Sequence, residues 1–160
     1  MLTGNQLAGF GVNKPLMAIV VAHFTTPFVT AYPWNEVGSG FGMKFADPAT
    51  LPTSIGNGVA FSPSGDALAV GHNASPYITA YAWSGSGFGA KFADPTTLPA
   101  NTGYGVAFSP SGDALVVAYS ASPFIMAYAW SGSGFGTKFA DPTTLPASTC
   151  NDVAFTKGYK

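Results

Sequence analysis

Hydrophobic and polar residues alternate with a period of two along much of this chain, which is the pattern of a β-strand whose two faces differ. The clearest example is the segment YITAYAW at residues 77–83. Two shorter apolar runs, at 59–62 and 67–72, flank a Ser-Pro-Ser-Gly turn, and a further run at 88–93 follows a Ser-Gly-Ser-Gly break. Pro and Gly are typical of tight reversals between strands. No window has helical spacing, so the pattern predicts four short antiparallel strands here.

This strand pattern recurs every 47 residues. The segment VAFSPSGD begins at Val59 and again at Val106, and Val-Ala-Phe returns at Val153. The segment FADP begins at residues 45, 92 and 139, with the same spacing. Repeats of about 40 to 50 residues with four strands each are typical of the blades of a β-propeller. The sequence therefore predicts an all-β fold, a β-propeller made of four-stranded antiparallel blades with three blades per chain.

The repeat also sets the expected boundaries within a single propeller segment, residues 1–160. We expect blades at about residues 10–52, 57–99 and 104–146, and a trailing strand at 151–156. Propellers close with about 4 to 8 blades, so three blades cannot complete a ring. Open sheet faces and unpaired edges favour association.

Oligomerisation follows from this count. We expect two copies of the chain to join as a homodimer in one ring, although a piece cut from a longer propeller is the alternative. The trailing Val-Ala-Phe strand is expected to pair with the partner's first blade, whose own leading strand at 10–12 (Phe-Gly-Val) matches the repeat poorly.

The charge, the longest apolar run and the cysteine count exclude several classes of function. Lys+Arg 6 and Asp+Glu 7 leave a net charge of −1, and there is no Arg, so binding to nucleic acid through a basic patch is excluded. The longest apolar run, 16–22, is too short to span a membrane, and the N-terminal residues lack the pattern of a signal peptide. With one cysteine, Cys150, and no acidic ligand beside either histidine, we expect no metal and no cofactor.

The turn and tryptophan positions point to a known family. The segments 59–65 and 106–112, with Trp83 and Trp130 near the ends of the third strands, resemble the blades of WD-repeat-like β-propellers, which open with a V-x-F-S-P-x-G turn. The resemblance covers nearly the whole chain. The combination of SPSGDAL, ASPYITAY and FADPTTLP is similar to blades of bacteriophage structural proteins. This resemblance implies a virion or extracellular location and contacts with other virion proteins or a host surface.

Differences among the repeats mark a candidate binding face. They concentrate in the loop between the second and third strands of each blade and in the connection to the next blade, which lie on one face of a propeller. The candidate binding residues are His23, Phe24, Asn57, His72, Asn73, Asn101, Tyr104, Tyr119, Ser120 and Asn151. The alternative is that these loop ends vary because nothing packs on them. The two histidines occupy matching positions, and we expect them to be structural or solvent-facing, not metal ligands.

Several repeated polar residues have simple structural interpretations. Asp66 and Asp113 follow the Gly of a turn, where Asp bonds local backbone donors. Lys44, Lys91 and Lys138 lie beside the fourth strand, and lysine on an edge discourages sheet-to-sheet pairing.

No catalytic constellation is recognisable: the chain has no nucleophile elbow, phosphate-binding loop or carboxylate pair. We therefore expect a non-enzymatic structural or adhesive component of a virion, in the capsid or tail of a phage, that acts as an oligomeric platform for protein contacts. The alternative hypothesis is a carbohydrate-binding, lectin-like propeller, because Tyr77, Tyr81 and Trp83 form an aromatic row on which sugars and other glycans stack.

Overall fold

The structure is a computed structural model that describes residues 17–35 and 40–158. All regular structure within these residues is β-strand, arranged in three antiparallel sheets, which confirms the predicted all-β propeller architecture. The sheets are blade 1, with β1 (Met17–Ala22), β2 (Val29–Asn35) and β3 (Gly40–Phe41); blade 2, with β4 (Gly56–Phe61), β5 (Ala67–His72), β6 (Ile78–Ser84) and β7 (Gly87–Lys91); and blade 3, with β8 (Gly103–Phe108), β9 (Ala114–Tyr119), β10 (Ile125–Ser131) and β11 (Gly134–Lys138). None of the described residues forms a helix long and apolar enough to cross a membrane.

The strands of each blade follow one another in space as they do in sequence. Blade 2 has the order β4-β5-β6-β7, blade 3 has the same order, and the described part of blade 1 has the order β1-β2-β3. By the repeat, β1 corresponds to the second strands β5 and β9. The leading strand predicted from residue 10 lies outside the described residues. Residues 151–156, predicted as a trailing strand, pair with no strand among the described residues, and their pairing with a partner stays a prediction.

The first strands of blades 2 and 3 begin earlier than the apolar pattern predicts. β4 begins at Gly56, three residues before Val59, and Gly56 pairs with His72 across a register shift. The glycines at the start of β4, Gly56 and Gly58, are needed because a neighbouring backbone approaches closely. A Cβ on Gly58, for example, would lie 2.2 Å from the Tyr104 carbonyl oxygen of β8. The glycines therefore extend β4 and allow adjacent first strands to pack side by side.

Adjacent blades pack through two different surfaces of each sheet. Because side chains alternate across a strand, the two faces of each blade differ. The face of small aliphatic residues turns to the next blade along the chain, and we call it the following face; the face of larger residues turns to the previous blade, and we call it the preceding face. Blade 2 turns its following face, with Ala69, Ile78 and Ala80, to blade 3. Blade 3 meets it with its preceding face, which includes Leu115, Val117, Tyr119, Met126, Tyr128 and Trp130.

The seam between blades 1 and 2 repeats this arrangement. Val29 and Val20 on the following face of blade 1 pack against Val70 and Tyr81 on the preceding face of blade 2. Val29, Val70 and Tyr81 are fully buried. At both seams, therefore, the following face of one blade packs against the preceding face of the next blade along the chain.

Candidate functional site

The loops predicted to share a face do meet in the structure. The backbone N–H of Asn73, after β5, donates to the carbonyl of Ile55 (3.2 Å), and Asn57 Nδ2 donates to Asn73 Oδ1 (2.6 Å). Asn57 Nδ2 also donates to the Gly103 carbonyl of the next blade (2.8 Å). We call this surface the loop face. Its amide contacts connect blades 2 and 3.

The predicted binding residues differ widely in accessibility. Phe24 is 76% exposed, whereas His72 and Tyr119 are fully buried and therefore leave the set of candidates. The other exposed members are Asn73, Asn101 and Asn151, and the half-buried members are His23, Asn57, Tyr104 and Ser120. Binding by these residues stays a prediction.

His72 has a structural role inside blade 2. Its Nε2 is hydrogen-bonded with Thr79 Oγ1 (2.9 Å), and its Nδ1 lies 3.4 Å from Thr53 Oγ1. Burial lowers the pKa of His72 to about 4, so the ring is neutral at pH 7. His23 makes the corresponding contact with Thr30 in blade 1, also at 2.9 Å.

Blade 3 replaces this polar pair with Tyr119 and Met126. Burial raises the pKa of Tyr119 to about 12. Tyr128 OH donates to the Thr97 carbonyl (2.7 Å), whereas the hydroxyls of Tyr119 and Tyr81 are the buried polar side-chain atoms without a hydrogen-bond partner in the described part of the chain. The difference between repeats at position 119 therefore changes the core, not an accessible surface.

The repeated Asp residues of the turns accept hydrogen bonds mainly from serine side chains and less from backbone N–H groups. Asp66 Oδ1 accepts hydrogen bonds from Ser62 Oγ (2.8 Å) and Ser64 Oγ (2.5 Å), which lower the pKa of this carboxyl, with the Ser64 bond the larger cause. Ser62 Oγ in turn accepts from the backbone N–H of Asp66 (3.2 Å) and of Ala67 (3.0 Å). The predicted bond from Asp to local backbone donors is therefore mainly indirect: the serine hydroxyl accepts from the backbone N–H groups and donates to the carboxylate.

The repeated lysines are paired with the Asp of the following Asp-Pro segment. Lys44 Nζ lies 2.6 Å from Asp47 Oδ1 and Lys138 Nζ lies 2.6 Å from Asp141 Oδ1. Lys91 and Asp94 form the same pair in blade 2. Sequence reasoning treated the two residue types separately, although their constant spacing of three residues was visible in every repeat.

The following face of blade 3 is only partly covered in the described part of the chain. Ile78 and Ala80 of blade 2 are 0% and 1% exposed because blade 3 covers them. Their counterparts one repeat later, Ile125 and Ala127, are only half-buried. Val116 and Ala118 on the same face are buried, so the last blade presents a partly uncovered copy of the surface that forms the internal seam.

The preceding face of blade 1 is open in the complementary way. Val21 is 41% exposed, whereas its counterpart Val70 is fully buried in the seam between blades 1 and 2. Phe41 on β3 is 63% exposed and packs edge-on against its own blade, with its ring centroid 5.3 Å from that of Trp34 and 5.8 Å from that of Tyr32. The two ends of the chain therefore carry the two halves of one type of contact.

A phenylalanine from the preceding blade completes each internal seam. Phe45 of the first repeat packs edge-on against Trp83 of blade 2 (5.3 Å), and a Cβ on Gly87 would lie 3.0 Å from this ring. Phe92 packs in the same way against Trp130 of blade 3 (5.2 Å) and beside Gly134. The next residue in this series, Phe139, is 49% exposed.

The segment after blade 3 lies where the first strand of a further blade would lie. The backbone N–H of Cys150 donates to the Tyr119 carbonyl (3.3 Å), as that of Gly56 donates to the His23 carbonyl between blades 1 and 2 (3.1 Å). A Cβ on Gly105 would lie 2.4 Å from Asp152 Oδ1. We call residues 150–155 the tail.

Two clefts lie at the internal seams. One, of about 190 Å³, is lined by Trp83, Met17 and Phe61. The other, of about 200 Å³, is lined by Trp130 and Phe92 with other residues. Both are smaller than the roughly 300 Å³ at which small-molecule sites begin. Within residues 17–35 and 40–158, no three His, Cys, Asp or Glu side chains come together as metal ligands.

Comparison with known proteins supports the fold. No family model and no curated protein matches the chain. Among solved structures, it is similar to a gluconolactonase from Xanthomonas campestris, with 21% sequence identity and a TM-score of 0.54 over 84% of this chain. The match covers 39% of the gluconolactonase, so this chain spans about two-fifths of that protein's length. At this identity the likeness shows the propeller fold alone.

This likeness corrects the functional hypothesis drawn from the sequence. A non-enzymatic structural or adhesive component of a virion was expected, but a solved structure that shares the fold is an enzyme, a gluconolactonase. The virion hypothesis is therefore wrong, and with it the lectin-like alternative is set aside. The same likeness points against the expectation that the protein is not an enzyme, but at 21% identity it does not assign an activity to this chain.

Proposed function

We propose that the chain is a self-assembling half of a β-propeller and that two copies close one ring. The observation that carries this proposal is the match between the two open ends: the following face of blade 3 and the preceding face of blade 1 are the surfaces already joined at both internal seams. In the ring, blade 3 of each copy packs on blade 1 of its partner. Such an arrangement closes with two-fold symmetry and leaves neither face exposed.

The number of copies follows from the number of blades. Propellers close with about 4 to 8 blades, and the only multiple of three within that range is six. A ring of two copies therefore fits the fold, whereas one copy or three copies fall outside it.

The phenylalanine series supplies the specific contact at the new seams. Phe139 of one copy stands to the partner's blade 1 as Phe45 and Phe92 stand to blades 2 and 3. Its place in the partner is beside Gly40 and the indole of Trp34. Among the described residues, a Cβ on Gly40 would come within 4 Å of Trp34 alone, at 3.6 Å, and no phenylalanine among them fills the position that Phe45 fills at Gly87. The exposed Phe139 thus finds the same kind of pocket that half-buries its counterparts Phe45 and Phe92.

Native mass spectrometry and size-exclusion chromatography with light scattering test this proposal. The wild-type chain is expected to run at twice its mass of 16.3 kDa at micromolar concentration. Val21→Asp places a charge on the preceding face of blade 1 and is expected to give a folded monomer. Ser86→Asp, on an exposed loop away from both faces, is the matched control and stays dimeric. A monomeric wild-type chain with the same circular dichroism spectrum overturns the proposal.

A second candidate function is hydrolysis of a sugar lactone. The observation that favours it is the fold shared with the gluconolactonase over 84% of this chain. The test compares gluconolactone hydrolysis by the wild-type protein and by Val21→Asp with the spontaneous rate. A wild-type rate above the spontaneous one, lost in the monomer, supports an activity of the assembled ring. A rate equal to that of buffer rejects it.

A further inference from the structure

We infer that the tail of each copy forms the innermost strand of the partner's first blade, so that the two chains exchange a strand. This inference rests on the proposed two-copy ring and adds to it a defined pairing. The tail lies along the partner's β1 and adds a fourth strand to the sheet β1-β2-β3 that the described residues form. The partner of the tail is therefore a second copy of this chain.

The first support is the position that the tail already occupies on blade 3. β8 packs beside β4 because Gly58 has no side chain: a Cβ there would lie 2.2 Å from the Tyr104 carbonyl oxygen and 3.1 Å from Gly105 Cα. One repeat later, the counterpart of Gly58 is Gly105 and the counterparts of Tyr104 and Gly105 are Asn151 and Asp152. A Cβ on Gly105 would lie 2.5 Å from Asp152 Cα. The tail thus follows the path of a first strand.

The second support is the aromatic residue at the end of that strand. Phe61 and Phe108 end β4 and β8, and each packs edge-on against the tryptophan of its own blade, at 5.0 Å from Trp83 and 5.1 Å from Trp130. Phe155 is the next residue in this series and is 42% exposed. In the exchanged arrangement it packs against the partner's Trp34.

The repeat also fixes the register of the exchanged strand. In blade 2, Val59 pairs with Val70, Ala60 with Ala69 and Phe61 with Leu68. Blade 3 has the same register from Val106 to Phe108. The corresponding pairs across the two copies are Val153 with Val21, Ala154 with Val20, and Phe155 with Ile19.

The alternative occupant of the β1 edge is the leading segment of the same chain. Its residues 10–12 read Phe-Gly-Val, whereas the tail repeats the Val-Ala-Phe of the two complete blades without change. Val12 would replace the aromatic ring that packs on tryptophan in the other blades. The tail therefore fits this position better.

Disulfide trapping tests the exchange and its register. Val20→Cys and Ala154→Cys are combined in a Cys150→Ser chain, and the expected product under mild oxidation is a covalent dimer on a non-reducing gel. Val21→Cys with Ala154→Cys is the register control, because a shift of one residue puts the two thiols on opposite faces of the sheet; we expect about tenfold less covalent dimer from it. Ala60→Cys with Ala69→Cys, the equivalent pair within blade 2, shows that the geometry permits the bond.

The outcomes separate this inference from the proposed function. A dimeric mass with a linked Ala60/Ala69 pair but no link in the Val20/Ala154 chain overturns the strand exchange and leaves the ring intact. A Val20/Ala154 bond within one chain, seen as a monomer without free thiols, also overturns it. A monomeric wild-type protein overturns both.

Discussion

His72 and Thr79 form a buried hydrogen-bonded pair within blade 2, with Nε2 and Oγ1 2.9 Å apart. The pair recurs as His23 and Thr30 in blade 1 at the same distance. Blade 3 has Tyr119 and Met126 in these places, so one polar contact of the repeat has been exchanged for an apolar one. This difference places a histidine, whose ordinary pKa is near neutral pH, in the core at one seam and a tyrosine, which stays protonated at pH 7, at the other.

The buried His72 predicts that acid destabilises the fold. Burial lowers its pKa from 6.5 to about 4; hydrogen bonding to Ala74 and the charge of Asp94 raise it, and the charge of Lys91 lowers it. Because the unfolded chain binds a proton below pH 6.5 that the folded chain does not, the free energy of unfolding falls as pH drops from about 6.5 to 4, by up to about 3 kcal/mol. Urea unfolding of the Val21→Asp monomer across this range measures the slope.

The chain supplies its own control for this pH dependence. His72→Tyr combined with Thr79→Met copies the blade 3 pair into blade 2 and removes the titrating ring. We expect the difference in stability between the parent and this variant to change with pH below about 6.5 and to be constant above it. A parent and variant with parallel pH profiles would show that His72 is protonated freely in the folded chain.

The serine at the start of each tight turn is expected to stabilise the turn and its aspartate. Ser62→Ala leaves the backbone N–H of Ala67 without its acceptor and is expected to lower the free energy of unfolding by about 1 to 3 kcal/mol. The pKa of Asp66 rises toward its ordinary value, because a hydroxyl donor is lost. NMR titration of the carboxyl carbons measures this change. Ser109→Ala, at the equivalent turn of blade 3, should move Asp113 and leave Asp66 unchanged.

Two phenylalanines at equivalent positions are expected to differ in their effect on stability. Phe92→Ala removes the contact with Trp130 and is expected to destabilise the Val21→Asp monomer by about 2 kcal/mol, below the usual range for Phe→Ala because the ring is half-buried. Phe139→Ala in the same monomer should cost less than about 1 kcal/mol, since its ring meets no tryptophan there. Equal losses in thermal unfolding experiments would contradict this assignment of the seams.

Most of the fold follows from the repeat. Alternation at period two identifies the strands, and β5 lies at 67–72 as predicted. The 47-residue spacing identifies the blades without any comparison, because three equal units must bury equivalent surfaces. The early start of β4 could not be read from hydrophobicity, since Gly56 extends the strand through backbone pairing and close approach alone.

The site was less accessible to sequence reasoning. Variation between repeats marked His72 and Tyr119 as surface candidates, but both are buried. The variation misled because a paired replacement in the core, from His-Thr to Tyr-Met, makes the repeats differ just as variation in an exposed loop does. The signal that could have found this was the joint change of positions 72 and 79 seven residues apart. The exposed Phe139 and Phe155 were visible in the repeat, yet only their open positions beside complete seams show that they lack a partner blade.

The glycines of the first strands give a final prediction, because the same substitution has different consequences at two equivalent positions. Gly58→Ala forces a Cβ to within 2.2 Å of the Tyr104 backbone at a complete seam and is expected to destabilise the monomer by several kcal/mol. A Cβ from Gly105→Ala would lie 2.5 Å from Asp152 Cα of the tail, which has no strand pairing among the described residues, so we expect the tail to shift. Its cost in the Val21→Asp monomer should stay below about 1 kcal/mol.

In the otherwise wild-type chain, however, Gly105→Ala displaces the exchanged strand and should weaken the dimer by at least about tenfold in Kd, measured by dilution in mass photometry. Gly85→Ala, which meets nothing within 4 Å, should change neither property. A Gly105→Ala chain that dimerises as tightly as wild type would mean that the tail makes no contact between copies.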